Sequence, residues 1–243
     1  MCICDSFIRF TGYGTKLTQT DTTLAKTGMV KNVADYPEVQ SKLRSALRAA
    51  YPEAYAEGRQ PTAVELWKIP VPYFDAVLEE CFRIDSPIPL TLREAMVDTQ
   101  LLGHPIPRGT PVFLVSNGPG FKTPALPLPE SMRSVSSREK KVNTHGVWDP
   151  EDVHLFKPER WLKIDPETGK EIFEPKSGPL LTFSLGPRMC FGKRLAYLET
   201  RIVLGLLVWN FEFNKLSPEL SSRDAEDSIT ASPRQCYVSL TRI

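Results

Sequence analysis

Apolar positions recur at helical spacing in several stretches of this chain. From about Thr18 to Ala34 a Thr/Asp cluster runs into Met29, Val30 and Val33, which predicts a weakly patterned helix. A better one starts at Pro37, with Val39, Leu43, Ala46, Leu47 and Ala50 on one face and Pro at the first turn; Pro52 and Gly58 mark its end. Pro61-Thr-Ala-Val-Glu65 opens a short element. Pro72 precedes a strong helix through Phe74, Val77, Leu78, Cys81 and Phe82, and Ser86-Pro-Ile-Pro89 stops it, because residues before proline are pushed to extended geometry. Lys193 to Trp209 predicts a helix buried through Leu195, Ala196, Leu198, Ile202, Val203, Leu206 and Leu207. Strand-like pieces lie between, Thr110–Ser116 after an Ile106–Gly109 turn, and Tyr237–Leu240 near the end. Residues 117–147, rich in Pro, Gly, Ser and charge, read as an exposed insertion.

Composition narrows the classes. The 243 residues carry a net charge of +1 and 41% hydrophobic residues, so nothing points to nucleic acid. Five cysteines (Cys2, Cys4, Cys81, Cys190, Cys236) at unrelated spacings make a poor disulfide framework and suit a reducing environment. The longest apolar run, Ile202–Trp209, is far short of the roughly 20 residues that span a bilayer, and no membrane anchor or signal peptide is expected in the chain. Cys2-x-Cys4 has no second ligand pair, and His104, His145 and His154 lie in unrelated loops, which argues against zinc.

The chemistry concentrates in Phe183-Ser-Leu-Gly186-Pro-Arg188-Met-Cys190-Phe-Gly192. A cysteine alone is most often a buried core residue. Here glycines permit backbone conformations and close approaches that a β-carbon forbids. The following helix offers N–H groups toward a thiolate, and Arg188 is suited to an anionic carboxylate. This F-x-x-G-x-R-x-C-x-G segment resembles the haem-binding loop of the cytochrome P450 family. Glu80-Cys-Phe-Arg83 resembles the family's E-x-x-R helix, and Pro158-Glu-Arg160-Trp161 its P-E-R segment.

The resemblance implies the following. The fold is mainly α with small β-sheets (α+β), the C-terminal part of the cytochrome P450 fold and incomplete. It forms a single truncated domain, 1–243: an irregular start (1–17), oxygen-side helix, E-x-x-R helix and strands (18–116), the insertion (117–147), then the P-E-R segment, cysteine loop, last helix and strands (148–243). Cys190 is the thiolate ligand of haem b. Phe183, Gly186 and Gly192 shape its loop, and Arg188 and Arg93 meet the propionates. For Arg93 the resemblance implies extended chain, whereas Thr91-Leu-Arg-Glu94 has the form of a helix-starting capping box. Ser86–Thr91 lines a substrate pocket. Arg160 joins Glu80 and Arg83 in a buried network that locks the cysteine loop onto the helix. Asp21 and Thr22 deliver protons, with Thr18 and Gln19 where the family has Ala-Gly. The partners implied are an NADPH-dependent flavoprotein reductase, received near Lys193 and Arg194, and a small organic substrate. Family members of this type usually sit on the cytosolic face of the endoplasmic reticulum, and the insertion resembles those of filamentous-fungal biosynthetic members. The activity implied is a haem-thiolate monooxygenase. The alternatives are a non-catalytic relative with impaired haem binding and an isomerase or dehydratase that needs no external electrons.

Overall fold

A computed structural model of the chain describes residues 15–16, 23–139, 146–227, 231–235 and 237–243. In chain order the elements begin with β1 (Thr15–Lys16), α1 (Thr23–Asp35), α2 (Pro37–Ala50), α3 (Pro52–Ala56), α4 (Ala63–Lys68) and α5 (Pro72–Ile84). Four strands follow, β2 (Leu90–Glu94), β3 (Thr99–Leu101), β4 (His104–Ile106) and β5 (Pro111–Val115), then α6 (Val135–Glu139). The last part holds β6 (Leu162–Ile164), β7 (Glu171–Phe173), α7 (Lys193–Asn210), β8 (Phe211–Asn214), β9 (Ala225–Asp227), β10 (Ala231–Pro233) and β11 (Tyr237–Arg242). The described sheets are small and antiparallel: β1-β11-β8, and the pairs β2-β5, β3-β4, β6-β7 and β10-β9.

Proline sets the first turn of α2, α3 and α5, where its missing N–H costs nothing. Thr62 starts α4 with a capping box: its hydroxyl accepts the Glu65 N–H, and Glu65 accepts the Thr62 N–H. The core forms where α1, α2 and α7 close on α5, with Val33, Leu43, Leu47, Phe74, Val77, Leu204 and Val208 buried. A second cluster, Ala76, Trp148, Val153 and Trp161, lies on the other side of α5. That helix is therefore buried on both sides and serves as the axle of the fold.

Two features depart from the apolar pattern. In α7 the buried side chains are Thr200, Arg201, Leu204, Val208 and Trp209, while Leu195 is 58% exposed. The inward face is the one where Gly205 lets Leu66 and Phe74 approach; a Cβ there would stand 2.8 Å from Leu66 Cδ2. Arg201 takes the same face, donating to the Leu66 and Ile69 carbonyls and to Asp75. It thereby satisfies backbone acceptors at the end of α4; of the apolar residues expected inward, Leu206 and Leu207 pack partly buried against the core. In α1, Lys31 and Asn32 are buried although polar. Lys31 Nζ donates to the Ser222 carbonyl. Asn32 Nδ2 donates to Asp85 Oδ2, and its oxygen accepts from Arg223 Nη1 at 2.8 Å.

Candidate functional site

The cysteine loop is built on α5 and α7. Thr182 Oγ1 donates to the Phe82 carbonyl at 2.7 Å, pinning the loop's start to the end of α5. The Phe183 ring lies against Phe82 (centroids 5.0 Å apart, 75° between planes) and Tyr197 (5.4 Å). Ser184 then takes φ +56° and Gly186 φ +72°. This left-handed geometry suits glycine and is unusual for serine. The chain turns through Gly186–Arg188, and the Cys190 N–H donates back to the Phe183 carbonyl at 2.8 Å. Gly192 precedes α7 with an ordinary φ of −77°. A Cβ there would lie 3.7 Å from Cys190 Sγ, an ordinary van der Waals contact.

Cys190 is exposed on this loop. Phe183 packs beneath the loop, against the helices, and shields the loop's base. Leu185, Met189 and Phe191 are exposed around the thiol, Phe191 completely. Arg188 is exposed on the same turn. Arg93 is on extended β2, paired with Val112 of β5, so the chain is a strand where the capping-box pattern read as a helix start. Its Nη2 donates to Ser184 Oγ at 3.0 Å. The loop thus brings together Arg93, Phe183, Gly186, Arg188, Cys190 and Gly192. Ser184, its unforeseen link to β2, sits inside the motif itself. Of the stretch Ser86–Thr91, Ile88 and Leu90 are exposed. Asp21 and Thr22, with Thr18 and Gln19, lie outside the described residues.

Behind the loop, Glu80 is completely buried and accepts five hydrogen bonds. Arg83 Nη2, Arg160 Nε and the Lys157 N–H donate to Oε1 at 2.7, 3.0 and 2.8 Å. Arg83 Nε and Trp161 Nε1 donate to Oε2 at 2.8 and 2.9 Å. Arg83 spends its other donors on the carbonyls of Phe121, Val153 and Leu155. Arg160 continues to Asp152 Oδ1 at 2.8 Å. Both guanidinium groups face the Trp148 ring, at 5.6 and 5.4 Å. The three charged residues meet as the sequence implied, but they fasten α5 to residues 121 and 152–161. The cysteine loop is held by Thr182, Phe183, Phe82 and Tyr197. Trp161 was visible beside Arg160 in the sequence, whereas nothing local marked Trp148, Asp152 or the Phe121 carbonyl.

The structure thus seats a thiol-bearing loop on an E-x-x-R helix that is bolted to a P-E-R segment. The family model for cytochrome P450 matches residues 19–119 and 146–238, and the chain belongs to that family. It is 38% identical over 232 residues to the Hps1-dma1 cluster cytochrome P450 monooxygenase cyp3.1 of Dothistroma septosporum, covering 90% of this chain and 72% of that protein. It is 37% identical to cytochrome P450 monooxygenase TRI13 of Fusarium sporotrichioides, with 88% of this chain and 38% of that one covered. With cytochrome P450 monooxygenase xilC of Penicillium rubens the identity is 39%, over 91% of this chain and 37% of that one. The chain therefore spans well under half the length of the latter two. A crystal structure of a cytochrome P450 (CYP102L1) superposes with a TM-score of 0.65 at 20% identity, covering 92% of this chain and 42% of that one. The fold is accordingly part of the cytochrome P450 fold, mainly α with small antiparallel sheets, and the family is a haem-binding one.

Proposed function

We propose that this chain carries the haem-thiolate portion of a monooxygenase that inserts one atom of O2 into a small organic substrate of a fungal secondary-metabolite pathway. The observation that carries this reading is the Cys190 thiol, presented with exposed apolar side chains on a braced loop that includes Arg188 and bonds Arg93 through Ser184. That donor set fits haem b: one soft ligand, two guanidinium groups for carboxylates and an apolar shelf for a porphyrin. With a thiolate on its iron, haem supplies electron density that favours O–O cleavage.

The chain's own residues prepare that chemistry. Cys190 would supply the thiolate that holds the haem iron. Arg93 and Arg188 would pair with the propionates through charge-assisted hydrogen bonds. Gly186 allows the turn, Gly192 leads the loop into α7, and Phe183 seats the loop on α5. Asp21 and Thr22 hold and pass a proton on the oxygen side. Lys193 and Arg194 give the surface below the loop a positive charge suited to an acidic flavoprotein reductase.

The test is reduction of the haem-supplemented chain under carbon monoxide. A strongly red-shifted Soret band is expected, and it should vanish in Cys190→Ala. Folded protein with no such band sinks the proposal and favours the non-catalytic alternative. Substrate turnover without any reductase would favour an isomerase or dehydratase instead. Charge reversal at both Lys193 and Arg194 should slow electron transfer and flatten its salt dependence.

A further inference from the structure

Glu79 stands one residue before Glu80 on α5 and takes no part in its network. It is directed to α7, where the Tyr197 hydroxyl donates to Glu79 Oε1 at 2.8 Å. Its other oxygen is buried without a hydrogen bond among the described residues. Beside it opens a cleft of about 420 Å³. The charged and titratable groups around that cleft are Lys68 at the end of α4, Asp75 on α5, and Lys193, Arg194, Tyr197 and Arg201 on α7. Arg201 is engaged with Asp75. The Lys193 ammonium sits 5.5 Å from the Tyr197 ring and 5.9 Å from the Phe183 ring.

A short physical path therefore runs from Glu79 to the cysteine. Its carboxyl holds the Tyr197 hydroxyl, the Tyr197 ring supports the Phe183 ring, and the Phe183 carbonyl holds the Cys190 N–H. We propose that Glu79 is a positioning residue for the cysteine loop, acting through Tyr197 and through Lys193. This deepens the haem-thiolate reading of Cys190 and rests on it for its consequence at the metal. With Glu79 neutral, Lys193 stays over the two rings. With Glu79 ionised, the ammonium is drawn toward α5 and off the face of Phe183, and a negative charge is added under the loop. Burial raises the carboxyl to about 7, against the opposing pull of the Tyr197 bond and the Lys193 charge, so both states are populated near neutrality.

The test begins on the ¹⁵N-labelled chain without haem, with the amides of Phe183, Cys190 and Lys193 followed across neutral pH. The three should shift together with one midpoint near that of Glu79. Glu79→Gln, whose amide oxygen still accepts from Tyr197, should abolish the common titration. Tyr197→Phe should move it to higher pH, because the lost bond favoured the ionised carboxyl. Amides that stay still, or that titrate alike in Glu79→Gln, overturn the proposal, since a merely structural glutamate would leave no shared midpoint. In the haem-loaded chain the Soret position should drift over the same pH range and be fixed in Glu79→Gln. Failure of both proteins to take up haem would count against the reading of Cys190, while the amide titration would still decide the role of Glu79.

Discussion

The indole Nε1 of Trp161 donates to Glu80 Oε2 across 81 residues of sequence, at 2.9 Å and out of reach of water. It supplies the fifth and last donor to a carboxylate already shared by two arginines. A buried charge is tolerated only when its partners are all present, and removing one partner costs about 3–5 kcal/mol. Arg160→Ala should therefore destabilise the chain by about that amount in urea unfolding. Arg160→Lys should recover little of it, because a single ammonium cannot reach both Glu80 and Asp152 with a fork.

Gly28 lies on α1 against Asp85. A Cβ added there would stand 2.5 Å from Asp85 Cγ. Gly28→Ala should cost about 1–3 kcal/mol by overpacking, even though alanine is the better helix former. The double substitution with Asp85→Gly should cost less than the sum of the two singles, which a thermal-unfolding cycle measures.

Stability should fall as pH rises through neutrality. Burial raises Glu79 from 4.5 to about 7, and burial, against the pull of Arg223 and Lys122, raises Asp85 as well. The folded chain then holds protons that the unfolded chain has released. This contribution is complete below the unfolded carboxylate values and is lost as pH climbs through the folded ones. Urea midpoints taken from about pH 5 to mildly alkaline pH should decline. In Glu79→Gln the decline should shrink, leaving that variant more stable than the parent on the alkaline side.

Cys190→Ser should leave the unfolding midpoint of the haem-free chain within about 0.5 kcal/mol of the parent, since the side chain is exposed. The same substitution should eliminate the red-shifted carbon monoxide band. Circular dichroism melts beside the spectra separate a lost ligand from a lost fold.

The helices were legible where proline and apolar spacing agreed, as in α2 and α5. The family motifs placed Glu80, Arg83 and Arg160 correctly although they are far apart in sequence. The inner face of α7 was legible only in part, through Leu206 and Leu207. Arg201 is buried there because carbonyls at the end of α4 need donors, and that demand comes from a distant segment with no trace in local periodicity. For the same reason the sequence gives no sign that Lys31 and Asn32 are buried on α1, where Ser222, Asp85 and Arg223 satisfy them. The cysteine motif was plain in sequence, while its anchors Thr182, Phe82 and Tyr197 lie just outside the motif or in other helices.

The five-donor arrangement at Glu80 also spans the chain. Glu80 and Arg83 share α5, but the donors from Lys157, Arg160 and Trp161 lie 77 to 81 residues further on. Without them, helix packing over Glu80 would carry an undersatisfied buried charge. The network thereby couples full burial of the fold's axle to docking of the segment that leads to the cysteine.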